Sequence, residues 1–591
     1  MTYTVANYLK ERLEQLGLEQ MFGVAGNYTA PFLDTILEDP KSPIKISGSP
    51  NEICAGYAAD AYARIKGIGA LYVTYSVGAF SLLNTIAGSY VEQVPVVLIN
   101  GAPTNKENSV EQNAGLVYSH TTGYQAVDIH MFRPVTAAAE RITNAEQAIY
   151  QIDSALTALL AQKRPIYFEV AEDVWRTPCQ PPVAKLNNNG PSSITVGDEK
   201  EAAAATMATL QKRGKCIFWA GIELQRYGIE EEFLALLDAV NASRPTDAQI
   251  GFVTSALSKS VVSEKHPNFK GCVTLNEDEI HSLVGDDGVI IGLGAWTIGK
   301  DTGNQNIRSE GTVLASQGGV LVGAKYYPSV TLPAYMQALK EAFSAMPAQN
   351  TPATLQPLGI ARPQLKLAAT NNTLGYDSFF QQLNTWLNKD DILVADAGFP
   401  LIGAQAVEIA EAGGFIAQAS WLAIGYSVAA ATGVACARPN KRSVVVVGDG
   451  SFHETCQAVS DHVAYGQNTV VFVLANGIYG IEQYLVNPNP FREPPADYPN
   501  PLQNNVYSYN ELPKWQFDKL AEAFGGQGRK ANTLTELAAI MGEIRDAPRA
   551  SFVVEVTIPK TDVPASIAAE AATAVGEDET ENPNWPPSSK F

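Results

Sequence analysis

Val444-Val445-Val446-Val447-Gly448-Asp449-Gly450-Ser451, followed by a second apolar run at 470–474 and then Asn476, carries the reading of this chain. Four valines without polar alternation predict a strand covered on both faces, as in a parallel α/β sheet. Gly448-Asp449-Gly450 then falls at the C-terminal edge of that strand, where open α/β sheets bind ligands. The two glycines let a ligand approach the backbone closely. Ser451 begins a helix whose free N–H groups favour phosphate. Asp449 cannot sit against a phosphate unless a cation intervenes. A magnesium ion takes about six oxygens from carboxylate, carbonyl, water and phosphate. The amide oxygen of Asn476, after the next strand, and the backbone carbonyl of Ile478 are natural further ligands.

Outward from this site, the bulk properties set limits. A chain of 591 residues should hold three or four domains at roughly 150 residues each. An apolar content of 46% with 17% charged residues describes a well-buried globular protein. The net charge of −20 argues against nucleic-acid partners and anionic membrane surfaces. The six cysteines are scattered without a C-x-x-C pair, which predicts reduced thiols and a cytoplasmic protein. Lys10, Glu11, Arg12 and Glu14 lie where a secretory signal would need apolar residues. No apolar run approaches the ~18 residues of a membrane span.

Residues 4–17 read as an amphipathic helix capped by Thr4, with Val5, Leu9, Leu13 and Leu16 on one face and Gly17 at its end. Short apolar strands then alternate with helices, at 71–75, 94–99 and 166–170, and later at 215–220, 288–292, 391–395, 443–447, 469–474 and 551–558. Pro- and Asn-rich residues 178–198 and Pro- and Thr-rich residues 346–374 read as linkers. The tail from about 562 reads as mobile. A Pro/Asn-rich stretch at 487–510 is long enough to be a lid, an interface loop or a surface insert.

The strand, G-D-G-S turn, helix, second strand and Asn at this spacing resemble the thiamine diphosphate motif. Residues 3–560 resemble the thiamine diphosphate-dependent 2-oxo-acid decarboxylases, the pyruvate and indolepyruvate decarboxylase group. The resemblance implies an α/β fold of three doubly wound parallel-sheet domains. These are a pyrimidine-binding domain at 1–180, a middle domain at 198–345 and a diphosphate-binding domain at 372–561, with a tail at 562–591. It implies thiamine diphosphate and Mg²⁺ as cofactors, with Asp449, Asn476 and Ile478 as metal ligands and Gly448, Gly450 and Ser451 at the diphosphate. Asn51-Glu52-Ile53-Cys54-Ala55-Gly56-Tyr57 matches the family's activating glutamate, so Glu52 would hydrogen-bond the pyrimidine ring and favour the tautomer that deprotonates the thiazolium. Trp421-Leu422-Ala423-Ile424-Gly425 matches the segment whose apolar wedge, here Ile424, bends the cofactor, while the carbonyl of Leu422 holds the aminopyrimidine. Ala397 would line the cofactor where the family commonly has Thr. Glu482, within Gly477-Ile478-Tyr479-Gly480-Ile481-Glu482, would reach the substrate carboxylate. It favours the decarboxylase branch over acetolactate-synthase-like relatives.

The chain also departs from the pattern. Ala25-Gly26-Asn27-Tyr28 places Asn27 where the family has an Asp. Ser119-His120 retains His120 but has Ser119 in place of the first His of a pair. Those groups form the family's proton relay for aldehyde release, and neither Asn nor Ser replaces an acid of useful pKa. A longer-lived enamine would then attack a second carbonyl compound, giving an acyloin-type product. Leu401 stands where pyruvate-specific relatives have Trp, which implies room for a branched or aromatic 2-oxo acid beside Trp296 and Ile481. The 487–510 stretch is about 20 residues longer than the family's usual connection and could close such a site against water. In the family the site forms between subunits, which implies a homodimer at minimum and commonly a homotetramer. Three other readings compete: a simple decarboxylase releasing aldehyde, an acetolactate-synthase-like flavin enzyme, and a catalytically impaired thiamine diphosphate-binding subunit. His130, His266, His281, His453 and His462 show no metal spacing and read as structural or surface residues.

Overall fold

A computed structural model describes residues 2–114, 118–124, 126–186, 198–242, 244–273, 287–296, 311–345, 355–357, 372–491 and 505–567. Three sheets succeed one another along the chain. The first contains β1 (Gln20–Gly23), β2 (Lys45–Gly48), β3 (Gly69–Thr74), β4 (Val96–Ala102), β5 (Ala138–Ile142) and β6 (Ile166–Ala171) in the spatial order 2-1-3-4-6-5. The third contains β15 (Asp391–Ala395), β16 (Phe415–Ala417), β17 (Arg442–Gly448), β18 (Val470–Ala475), β19 (Gln527–Ala531) and β20 (Phe552–Thr557), in the order 16-15-17-18-20-19. Both sheets are wholly parallel. Every residue of β4 is buried, as are the first six of β17, because helices cover both faces. The uninterrupted apolar runs predict such parallel α/β sheets, and the resemblance implies three of them.

The middle sheet contains β7 (Lys215–Ala220), β8 (Phe252–Thr254), β9 (Phe269–Cys272), β10 (Gly288–Leu293), β11 (Thr312–Ser316), β12 (Gly319–Val322), β13 (Lys325–Pro328) and β14 (Gln356–Pro357). Its β11, β12 and β13 form an antiparallel edge on an otherwise parallel sheet.

Two boundaries need correcting. The supposed linker at 346–374 contributes β14, which pairs in parallel with β7, while Leu355 is buried in the middle core. The middle domain therefore reaches at least residue 357. The tail does not begin at 562 either. Asp562 accepts a hydrogen bond of 2.6 Å from the Tyr376 amide, and the Tyr484 hydroxyl donates to the Ile567 carbonyl. Proline and alanine content concealed both attachments, because each depends on contacts with segments far away in the chain. The remainder of the tail lies outside the described residues, as do His281 and the centre of the 487–510 stretch.

The first and third domains meet through two helices rich in small residues, Glu52–Lys66 and Tyr426–Ala437. A Cβ on Gly433 would lie 2.0 Å from the Ala58 carbonyl oxygen, so only glycine permits this crossing. Gly433→Ala is expected to destabilise the protein by about 1–3 kcal/mol, the usual cost of overpacking, as read from denaturant unfolding.

His462 packs against the second of these helices, fully buried, and its Nε2–H donates to the Val428 carbonyl at 3.0 Å. Burial pushes its pKa down to about 4 from an ordinary 6.5. The folded state therefore resists a proton that the unfolded chain accepts. Stability from this group is complete above pH 6.5 and is lost as the pH falls from there towards 4. The loss amounts to about 3 kcal/mol. In His462→Gln, the unfolding free energy should fall less steeply over that pH window than in the native protein.

Candidate functional site

The C-terminal edge of the third sheet collects most of the motif residues. β17 and β18 are parallel neighbours, with Gly448 paired to Leu474, so Asp449 and Asn476 leave adjacent strand ends. Asp449 opens the short helix Asp449–Thr455 and is 4% exposed. Its Oδ2 accepts from the Gly477 amide at 2.6 Å and its Oδ1 from the Gly450 amide at 3.0 Å. Burial pushes its pKa up to about 6 against the lowering effect of these amides. Asn476 is also buried. Its Nδ2 donates to the Tyr376 hydroxyl at 3.2 Å, while its Oδ1 accepts from the Ile478 amide at 3.2 Å. One carboxylate, one amide oxygen and the nearby backbone form an oxygen-donor set of the kind Mg²⁺ takes with phosphate. Asp449 has only neutral donors around it in its hydrogen bonds, and a buried carboxylate in that state is stabilised by a cation. Gly450 must be glycine here, since a Cβ would lie 2.5 Å from the Tyr479 ring.

Asp396 follows β15 and is fully buried. It does not line an open surface. Its carboxylate accepts from the Gly425 amide at 3.1 Å, the Ser427 amide at 2.8 Å and the Ser427 hydroxyl at 2.6 Å. It thereby anchors the turn that presents Leu422 and Ile424. Leu422 adopts φ +58°, a left-handed conformation that a branched side chain avoids. Strain of this kind, about 1–3 kcal/mol, persists where surrounding contacts over-determine it, often at functional sites. Ile424 is 38% exposed, so it is no core residue of this chain. The Glu92 carboxylate holds the same segment from the first domain, accepting from the Ser420 and Trp421 amides at 2.7 and 3.1 Å and from Arg64 at 2.8 Å. Glu92 is not legible in the sequence, because a fully buried glutamate at the end of a helix gives no local signal.

Glu52 is the first residue of its helix, capped by Asn51, whose side chain accepts from the Cys54 amide at 2.8 Å. At the same edge of the first sheet, Asn27 and the pair Ser119 and His120 are exposed. Aromatic contacts link them. The Tyr28 and Tyr75 rings lie 5.4 Å apart, and those of Tyr75 and His120 lie 5.9 Å apart. The Tyr75 hydroxyl donates to the Ser119 carbonyl.

Glu482 lies exposed in the first turn of the helix Gly480–Val486. Gly398, with φ +91°, closely approaches Ile481. Ala397 is buried beside it. Leu401 is 5% exposed and sits inside the third-domain core, against which Trp296, Leu422, Ile481 and Phe491 also pack. The three side chains assigned to the substrate pocket therefore join one apolar cluster, with Leu401 as its covered member. Trp296 Nε1 donates to the buried Glu223 at 3.0 Å. Both described ends of the 487–510 stretch attach to Gln483, one residue from Glu482. The Gln483 Nε2 donates to the Asn487 carbonyl, and its Oε1 accepts from the Tyr507 amide and from Asn510. Of the other histidines, His130 bonds Tyr124, and His453 packs on Trp515. Among the described residues, no cysteine forms a disulfide bond. Among the described residues, no helix is long and apolar enough to cross a membrane.

Residues 3–128 match the family model of the thiamine pyrophosphate enzyme N-terminal cofactor-binding domain, and residues 396–556 match that of the C-terminal domain. The chain is 28% identical to an alpha-keto-acid decarboxylase of Mycobacterium leprae over 596 residues, covering 99% of this chain and 98% of that protein. It is 28% identical to a probable pyruvate decarboxylase of Schizosaccharomyces pombe, covering 90% and 89% of the two chains. An alpha-keto-acid decarboxylase of Mycobacterium tuberculosis is 28% identical, with 95% of each chain covered.

Proposed function

Because the chain belongs to the thiamine diphosphate-dependent 2-oxo-acid decarboxylase family, we propose that it decarboxylates a 2-oxo acid bulkier than pyruvate and joins the remaining fragment to a second carbonyl compound. Mg²⁺ would be held by Asp449, Asn476 and the Ile478 carbonyl. Thiamine diphosphate, when bound, supplies the carbon nucleophile and the electron sink for decarboxylation.

The chain's own residues divide the remaining work. Gly448 and Gly450 would let a diphosphate approach the backbone closely at a helix start, with Ser451 in the first turn of that helix. Ile424 supplies an exposed apolar wedge beside the strained Leu422 carbonyl, in a turn fixed by Asp396 and Glu92. Glu52 holds a proton at the pyrimidine ring. Glu482 and His120 remain to receive the substrate carboxylate and to move protons. The exposed Ile53, Trp421 and Ile424 flank these motifs, which supports a homodimer in which Asn27, Glu52, Ser119 and His120 of one copy face Asp449, Asn476 and Glu482 of the other, with a homotetramer built from two such dimers. Cysteines without disulfide bonds suit a cytoplasmic location.

The observation that carries the reading is the joint placement of buried Asp449 and Asn476 at adjacent parallel strand ends. The carbonyl-joining step is supported by Asn27 and Ser119, exposed at the edge where a proton relay would need acids. Retention of His120 and Glu482 favours the second reading, a decarboxylase that releases aldehyde. Incubating the protein, thiamine diphosphate and Mg²⁺ with 2-oxo acids, singly and paired with aldehydes, and identifying products by mass separates the two. Acyloin-type products are expected. Aldehyde alone, at ordinary rates and with acceptor present, would replace the first reading with the second.

A further inference from the structure

Asp128 lies outside the cofactor motifs and is 3% exposed. It is the second residue of the helix Val127–Phe132. Its Oδ2 accepts from the Ser76 amide at 2.6 Å and its Oδ1 from the Ser76 hydroxyl at 2.7 Å. Oδ2 also accepts from Asn100 Nδ2 at 3.2 Å, and Asn100 in turn donates to the Tyr167 hydroxyl at 2.6 Å. Ser76 is held at φ +49°, a conformation a serine does not adopt unaided. The residue before it, Tyr75, donates from its hydroxyl to the Ser119 carbonyl and sets its ring edge-on to His120. His120 is itself strained, at φ +74°.

These contacts share one plan. The described residues between Ser119 and Asp128 are fastened at both ends to the turn that holds Tyr75 and Ser76. Tyr75 grips the start through a hydroxyl, and Asp128 grips the end through a bidentate carboxylate. A charged acceptor serving two donors is stronger than a neutral one, so most of the restraint lies at Asp128.

We propose that Asp128, acting through Ser76 and Tyr75, is a positioning residue that fixes where the His120 imidazole stands in the site. The proposal rests on the proposed function for its consequence, because His120 moves a proton only in an active enzyme. The clamp itself does not depend on that reading. In Asp128→Asn, one acceptor oxygen becomes a donor and meets the donors of Ser76 or Asn100. Ser76→Ala removes one of the two bonds and keeps the backbone one.

The test has two arms, on the full chain with thiamine diphosphate and Mg²⁺. Amide exchange over 118–124 should quicken at least tenfold in Asp128→Asn, and less in Ser76→Ala, while the strands of the first sheet keep their protection. In steady-state turnover, Asp128→Asn should lower kcat about tenfold or more with KM little changed, and the double variant with His120→Ala should lose no more than His120→Ala alone. Unchanged exchange at 118–124 overturns the clamp, whether or not the protein turns over a 2-oxo acid. Losses that multiply in the double variant overturn the link to His120. A native protein without turnover, but with the exchange result as expected, leaves the clamp standing and removes the proposed function instead. If Asp128→Asn does not fold, the milder Ser76→Ala carries both arms.

Discussion

Glu52→Gln is expected to lower turnover of any accepted 2-oxo acid by about 10²–10⁴-fold, the usual value of a positioned acid–base group, while cofactor affinity stays within a few-fold. Glutamine keeps the length of the side chain and can still accept a hydrogen bond, but it cannot exchange a proton at useful pH. The helix that carries it should not move. Asn51 still caps it through the Cys54 amide. Gly56 still admits Thr85 beside the helix, and Gly433 of the facing helix still admits the close approach of Ala58. Separating kcat from thiamine diphosphate affinity by calorimetry checks the claim. Equal losses in both would mean that Glu52 only binds, and an unchanged kcat would remove it from the chemistry.

Asp449→Ala should act at the other end of the site and in the opposite manner. Losing the one carboxylate among the proposed metal ligands is expected to cost more than the 10–100-fold in affinity typical of an outer-shell partner. Mg²⁺-dependent binding of thiamine diphosphate should therefore fall by at least about 100-fold. The apo protein should lose little stability, because the substitution removes a buried charge whose burial is itself unfavourable, against which stand the freed amides of Gly450 and Gly477. Calorimetric titration with and without Mg²⁺, alongside thermal unfolding of the apo protein, reads both effects. Cofactor binding that survives the substitution would place the cation elsewhere.

The strand pattern was legible because valine runs such as 444–447 are buried on both faces, and burial on both faces leaves a plain signature. Asp449 and Asn476 were legible for a related reason. A polar residue directly after such a run must stand at the sheet edge, and the register of β17 with β18 sets the two side by side. What escaped the sequence depends on contacts between distant segments. Glu92 meets Ser420 and Trp421, some 328 positions away. Asp128 meets Ser76 through a turn whose left-handed φ no serine announces. Leu401 was assigned to a pocket from the resemblance, by its match to a Trp of relatives, and its burial in the third-domain core is a packing property that no local pattern reveals. Composition likewise misled at Gln356–Pro357, where a proline-rich stretch adds a strand by using backbone groups that its side chains do not report.

The most direct measurement is release of labelled CO₂ from carboxyl-labelled 2-oxo acids, including branched and aromatic ones, by the purified protein with thiamine diphosphate and Mg²⁺. CO₂ is expected from at least one acid larger than pyruvate, abolished by removing the metal and reduced by Glu52→Gln to a residual rate. Cofactor bound with Mg²⁺ but no CO₂ from any acid would contradict it, leaving a thiamine diphosphate-binding subunit in place of an enzyme.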